Sequence, residues 1–284
     1  MVAPSADPNF PANLNIHPLH LLGTAATDGA DAHNQAEAIG RYGIAGRVWE
    51  ASGPLLEYLT PGGAGDPACT LFTTLGPHRV LELGSGQALA SLHLAARLRA
   101  EDTVVLTDLP NVVPLCQQSI DTWATEGEGS QQAEHANVVA QPLAWGEDAS
   151  HLAKYGPFTH IILCDLVYFP HLYPPLLRTL LEVTDPSGPV DTDVFGPEII
   201  IAWKSRSLNL EESFFDSFAH YFRQEPVTDG KWDAEVKLFI CRRWRVTDEW
   251  RLPSLNMVMG GAPGVVKGRS FGLVESLFSA LEWD

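Results

Sequence analysis

The chain has 284 residues, 45% hydrophobic and 19% charged, enough apolar content to bury one large core, which excludes wholesale disorder. With 18 Lys and Arg against 35 Asp and Glu, its formal net charge is −17. That balance argues against a nucleic acid as main partner, because phosphate recognition rests on Lys and Arg, and it suits a basic protein better.

Residues 1 to about 40 are rich in Pro, Ala, Asn and Asp with weak periodicity, and they read as a partly ordered lead-in. A main domain is expected over 41–245 and a C-terminal extension packed on it over 246–284. From Gly53 a short helix is predicted, with Ser52 as N-cap and Pro54 in the first turn, ending at Pro61-Gly62-Gly63. Arg79 to Leu83 reads as a strand, Gln87 to Arg99 as a helix with apolar Leu89, Leu92, Ala96 and Leu98, and Thr103 to Thr107 as a second strand. A helix over about Val112 to Trp123, a loop insertion over Glu126 to His135 and a strand over Ala136 to Pro142 follow.

His160 to Asp165 is a short apolar run ending in an acid, the pattern of a central parallel strand buried on both faces. After it come a helix over Leu176 to Val183, an insertion through Pro197 and a fifth strand from Glu198 to Trp203. A Phe-rich helix over Leu210 to Phe222, closing strands over Glu225 to Thr228 and Val236 to Trp244, and an amphipathic helix near Phe271 to Leu281 complete the pattern. Strands alternating with helices predict a doubly wound α/β sheet with helices on both faces.

Cys69, Cys116, Cys164 and Cys241 stand far apart without a C-x-x-C pair, so neither a metal site nor a disulfide framework is indicated. The first ten residues lack a secretory pattern, and no apolar run approaches the ~20 residues that span a bilayer. A cytoplasmic protein, with the nucleus as a second compartment, is the expectation.

Chemistry concentrates where strands end. Glu82-Leu83-Gly84-Ser85-Gly86 lies at a strand-to-helix turn, where small residues let the backbone approach a bound nucleoside. The third small position is Ala88 rather than glycine, which disfavours a dinucleotide and hence a dehydrogenase. Asp108 ends the second strand 22 residues after Gly86, near the ~20-residue offset at which an acid reaches ribose hydroxyls. Asp-Leu-Pro is also a good helix start, so Asp108 as an N-cap stands beside that reading. Asp165-Leu166-Val167-Tyr168 follows the fourth strand.

This acid-x-x-Tyr element resembles the signature of the family 16, seven-strand, Rossmann-like protein lysine methyltransferases. Arg47 to Ala51, Glu82 to Gly86, Thr107 to Pro110 and Leu143 to Gly146 are similar to other blocks of that family, in the same order, over roughly residues 40 to 245. The resemblance implies S-adenosyl-L-methionine as cofactor, with S-adenosyl-L-homocysteine as product. It implies that Trp49 packs near the methionine end, that Glu82, Gly84, Ser85 and Gly86 line the turn, that Asp108 and Leu109 meet the ribose, and that Trp145 lies against the adenine. Asp165 and Tyr168 would flank the acceptor lysine as the catalytic pair, Asp165 also close to the cofactor and attracting the lysine ammonium before orienting the free amine. For each tryptophan, plain core packing is the competing reading. The implied partner is a protein presenting a lysine, basic or part of the translation machinery, such as an elongation factor, and the enzyme is a monomer by default. Ala88, the two insertions and the C-terminal tail depart from the shared blocks. They leave a small-molecule methyltransferase, or a cofactor-binding adaptor with little catalysis, as alternatives.

Overall fold

The computed structural model describes residues 10, 15–19, 29–126, 128–131, 134–186, 188–230 and 235–268. Helix α1, Gly29–Tyr42, occupies the last part of the expected lead-in and runs into the main domain. Its apolar contact is small, Ala38 and Tyr42 in a cluster with Val112 and Leu115, and an amide adds the rest of its anchorage. The Gln35 side chain is buried, accepts the N–H groups of Leu19 (2.8 Å) and Val48 (3.1 Å), and donates to the Leu19 carbonyl (3.1 Å). Helix α2, Ser52–Tyr58, begins one residue before the expected start. Ser52 is not its cap; the hydroxyl lies 3.4 Å from Cys164 Sγ instead.

The sheet assembles from β1 (Arg79–Leu83), β2 (Thr103–Asp108), β3 (Asn137–Pro142), β4 (His160–Cys164), β5 (Val194–Lys204), β6 (Phe222–Pro226), β7 (Val236–Val246) and β8 (Val265–Val266). Its order is β3-β2-β1-β4-β5-β7-β6, with β8 paired to β7. Strands β1 to β5 are parallel and β7 is antiparallel to its neighbours. Helices α3 (Leu89–Ala95), α4 (Val113–Thr125), α5 (Glu128–Gln131, inside the expected loop insertion), α6 (Tyr173–Val183) and α7 (Leu208–Phe218) connect them. The result is the expected doubly wound, Rossmann-like sheet, covered on both faces.

Period-two alternation builds the two cores. Leu81, Leu83, Ile161, Leu163, Ile199 and Ile201 face α6 and α7, whereas Val80, Val104, Ile162 and Ile200 face α2, α3 and α4. Ile161, Ile162 and Leu163 of β4 are each 0% exposed. At roughly 1.5–3 kcal/mol per buried aliphatic, these three contribute on the order of a whole domain's net stability, so β4 has little choice but the centre.

Three boundaries moved for local reasons. Helix α6 starts at Tyr173 because Pro174 and Pro175 fall in its first turn, where proline is tolerated. Strand β5 starts at Val194, inside the expected insertion: Val194 and Phe195 pair with Trp244 and Arg243, and a bulge before Ile199 accommodates Pro197. Helix α7 stops at Phe218, so Phe222 opens β6 while its ring stacks on Phe218 at 4.3 Å.

The segment after β7 is built into the core. Val258 is fully buried, the Tyr221 hydroxyl donates to its carbonyl (2.8 Å), and the Trp250 indole N–H donates to Asp185 Oδ1 (2.7 Å). The amphipathic helix expected near 271–281 lies outside the described residues. No described helix is long and apolar enough to cross a membrane.

Candidate active site

The chain runs from β1 outward to β3 and then returns to β4 on the other side of β1, so a crevice opens between the carboxyl ends of β1 and β4. The turn after β1 has φ of +61° at Gly84 and +47° at Gly86, the left-handed region that suits glycine. Gly84 is also hemmed in: a Cβ there would lie 2.8 Å from Leu166 Cδ2 and 3.2 Å from Trp145 Cζ2. At Gly86 a Cβ would lie 2.7 Å from the Ala45 carbonyl oxygen. That carbonyl belongs to the 3-10 turn Gly43–Gly46 after α1, which also accepts the Gln87 side-chain amide through Gly46 (2.7 Å). This wall was invisible to sequence reasoning because the segment before it carried no apolar rhythm.

Asp108 ends β2 almost buried. Its Oδ2 accepts the Gly86 N–H and its Oδ1 the Leu109 N–H, both at 2.8 Å. Helix α4 begins only at Val113 with no side-chain cap, so the N-cap reading of Asp108 fails; the carboxylate braces the glycine turn instead. Ser85 is tied in the same way, its Oγ accepting the Thr107 N–H at 3.2 Å. Burial pushes Asp108 up to about 6 against the pull of its two N–H donors. Burial likewise pushes Glu82 up to about 7, partly opposed by the Ser91 hydroxyl that donates to it.

At the other end, Asp165 follows β4 with φ of +61°, a conformation Asp tolerates better than most residues. Its carboxylate is gripped on both oxygens by Arg206, at 2.8 and 2.7 Å, and Oδ1 also accepts the Lys204 N–H at 3.1 Å. The expectation that Asp165 directly captures an ammonium therefore needs correction, since the side chain has no exposed surface and its oxygens are engaged. Arg206 extends to Glu50 (3.1 Å), which also pairs with Arg47 at 3.0 and 3.1 Å. Burial opposes ionisation of Glu50, but the Arg47 hydrogen bond and the charges of Arg47 and Arg206 bring its pKa down to about 2. Both guanidiniums lie over the Trp49 ring, Arg47 at 4.4 Å and Arg206 at 5.1 Å, and its indole N–H donates to the Ile44 carbonyl (3.1 Å). It is half-buried in the site wall, not in the core. Burial first, then Asp108 and Asp165, hold the Tyr168 phenol above its usual range, so it stays neutral near pH 7. Arg206 is the residue of this site that sequence reasoning missed; Ser205-Arg206 follows β5 with no recognisable spacing to Asp165.

Between these ends lies a cavity of about 290 Å³, near the lower bound of typical small-ligand sites. Trp49, Glu82, Gly84, Ser85 and Gly86 line it, and so do Asp108, Leu109, Trp145, Asp165 and Tyr168. Residues nominated from five separate stretches of sequence thus share one enclosure. A family model described as lysine methyltransferase matches residues 31–220. The chain belongs to the lysine methyltransferase family.

This methyltransferase is 28% identical over 206 residues to protein-lysine N-methyltransferase EFM6 of Saccharomyces cerevisiae, a match covering 67% of this chain and 75% of the yeast protein. It is 29% identical over 213 residues to EEF1A lysine methyltransferase 3 of Mus musculus, covering 75% and 78% of the two chains. It is also 30% identical over 140 residues to protein N-lysine methyltransferase METTL21A of Danio rerio, covering 49% and 56%. Its activity is accordingly transfer of methyl to a protein lysine.

Proposed function

We propose that the cavity takes S-adenosyl-L-methionine and that the acceptor lysine enters past Tyr168 and Asp165. In this reading Asp108 and Leu109 hold the ribose, Trp145 meets the adenine, and Trp49 with the Glu82 to Gly86 turn forms the methionine end. What carries the reading is the convergence of these residues at the carboxyl ends of β1, β2 and β4. The residues suit the group chemically. Asp108 keeps carboxylate lone pairs beyond the two N–H bonds it accepts, Trp145 offers an apolar ring, and the Gly84 to Gly86 turn borders the cavity.

When bound, the cofactor supplies an electrophilic methyl on a sulfonium, which a neutral lysine Nζ accepts with loss of a proton. The chain's own part is placement: fixing the amine and excluding water matters more here than covalent help. Tyr168, with its proton held on, serves as a hydroxyl donor and ring wall rather than a base.

A translation elongation factor is the proposed acceptor. The mouse relative's name says that it acts on EEF1A, and a chain of net charge −17 favours a basic surface. The cytoplasm, with the nucleus second, is the matching compartment, and a monomer is the working unit. The test incubates the purified protein with tritiated S-adenosyl-L-methionine and extract of cells lacking it, with Asp165→Ala in parallel. The expected result is one labelled protein, methylated on lysine by mass spectrometry, with label lost in the variant. Label confined to small molecules, or full activity in Asp165→Ala, would overturn the site assignment. S-adenosyl-L-homocysteine at 100 times its Kd should add ~2.7 kcal/mol of stability, and Asp108→Ala should abolish that gain.

A further inference from the structure

A methyl acceptor has to be a neutral amine, yet a lysine side chain titrates near ~10.4 in water, and an unpaired carboxylate within ~4–6 Å favours the ammonium. A bare Asp165 at the acceptor end would therefore attract the lysine and hold it in its unreactive form. The structure does not leave it bare. Arg206 takes both carboxylate oxygens as a fork, and the cluster of Asp165, Glu50, Arg206 and Arg47 balances two negative charges with two positive ones.

The guanidinium is also too well held to be a placeholder that an incoming lysine displaces. Besides Asp165 it bonds Glu50 (3.1 Å) and the Lys204 carbonyl (3.0 Å), and it packs on the Trp49 ring. Its backbone N–H is held by the Glu211 carboxylate at 3.0 Å. An ammonium is a compact point charge and cannot reproduce the bidentate fork.

We propose that Arg206 is a positioning residue for methyl transfer: by cancelling and orienting the Asp165 carboxylate, it lets the acceptor lysine stand in the site as a neutral amine. This rests on the reading that the acceptor enters past Tyr168 and Asp165. The charged and titratable groups around the pair are Arg47 and Glu50 before α2, Cys164 on β4, Tyr168 after it, Lys204 at the end of β5, Glu211 on α7, and Glu82 and Asp108 deeper in the cavity. Lys204 is engaged by Glu235 at 3.1 Å. Burial places Cys164 and Tyr168 above their usual ranges and leaves Glu82 and Asp108 at about 7 and about 6, so a midpoint well above pH 7 reports on the acceptor amine.

The experiment measures kcat against pH from about 6.5 to 10 at saturating cofactor and acceptor, because kcat reports groups in the bound complex. The acceptor is purified elongation factor 1A, or the protein labelled in extract if another carries the label. Wild type is compared with Arg206→Gln, Arg206→Lys and Glu50→Gln. Loss of the cation should raise the midpoint by about one pH unit or more, giving roughly a tenfold or greater fall in kcat near pH 7 that recovers toward pH 10. Arg206→Lys should keep the wild-type midpoint, and Glu50→Gln should lower it. An Arg206→Gln variant whose kcat falls equally at every pH, or whose KM falls with kcat unchanged, would overturn the proposal. If Arg206→Gln does not fold, the other two decide: an unmoved midpoint in Glu50→Gln overturns it, and a lowered one supports it. No label from wild type on any protein defeats the function reading itself, and the proposal with it.

Discussion

Gly86 is dictated less by its own strand than by a carbonyl 41 residues upstream. A Cβ at that position meets the Ala45 oxygen at 2.7 Å with φ at +47°, so Gly86→Ala combines left-handed strain of roughly 1–2 kcal/mol with displacement of the 43–46 turn. Urea unfolding should register at least that loss, and the thermal gain from S-adenosyl-L-homocysteine should shrink. Ala88 is the opposite case: a buried alanine at φ +62°, a backbone conformation that favours glycine. For Ala88→Gly, relief of left-handed strain is offset by a lost buried methyl of about 0.8 kcal/mol and by glycine's greater unfolded freedom, so the net change should stay within about 1 kcal/mol. Glu82 makes a pH prediction. Its folded pKa of about 7 lies above the ordinary 4.5 of this carboxyl, so between these values the folded protein keeps a proton that the unfolded chain has released. Stability from this group is thus full below pH 4.5 and lost as pH rises through about 7. Glu82→Gln removes that slope, so its Tm relative to wild type should rise from pH 5 to pH 8; a constant difference would refute the assignment.

Among the elements, α1 and the turn behind it were the hardest to read and matter directly to the site. A helix held by the Gln35 amide, with only Ala38 and Tyr42 packed in the small cluster with Val112 and Leu115, leaves little periodic signal. Its contribution is nonetheless specific, because replacing Gln35 with leucine strands the N–H groups of Leu19 and Val48. Each buried orphan costs about 1–3 kcal/mol, and the expected result is faster amide exchange over 43–48 with weaker S-adenosyl-L-homocysteine binding. Strands β1, β2 and β4 were legible nearly to the residue, because short, mostly apolar runs bounded by polar residues have few other uses. Helix ends and the start of β5 were not. Pro174, Pro175 and Pro197 look like breaks along the chain, but one pair sits in a helix's first turn and the third at a bulge.

For the molecule as a whole, the segment after β7 locks the far side of the sheet. Arg243 is 1% exposed, donates through Nη1 to the carbonyls of Leu181 and Thr184, and lies 4.4 Å from the Trp250 ring. Burial lowers its pKa to about 10, with Asp185 opposing. Trp250→Ala should therefore cost about 3–5 kcal/mol in urea unfolding, through the cavity it leaves and the weakened cover on this cation. The net charge acts at longer range: kcat/KM on a basic protein acceptor should fall steeply as salt shortens the Debye length from ~30 Å at 0.01 M to ~8 Å at 0.15 M, while kcat changes little. The sequence by itself determined the parallel sheet, its two apolar faces and the residues at its strand ends, because these depend on short-range patterns: alternation, apolar runs and a glycine turn at fixed distance from an acid. Only the tertiary structure decided that the wall at 43–46 closes over Gly86 and that Arg206 neutralises Asp165. Both contacts join segments about forty residues apart through single polar groups, and such pairings follow from how the sheet brings strand ends together, leaving no periodicity in the chain to read.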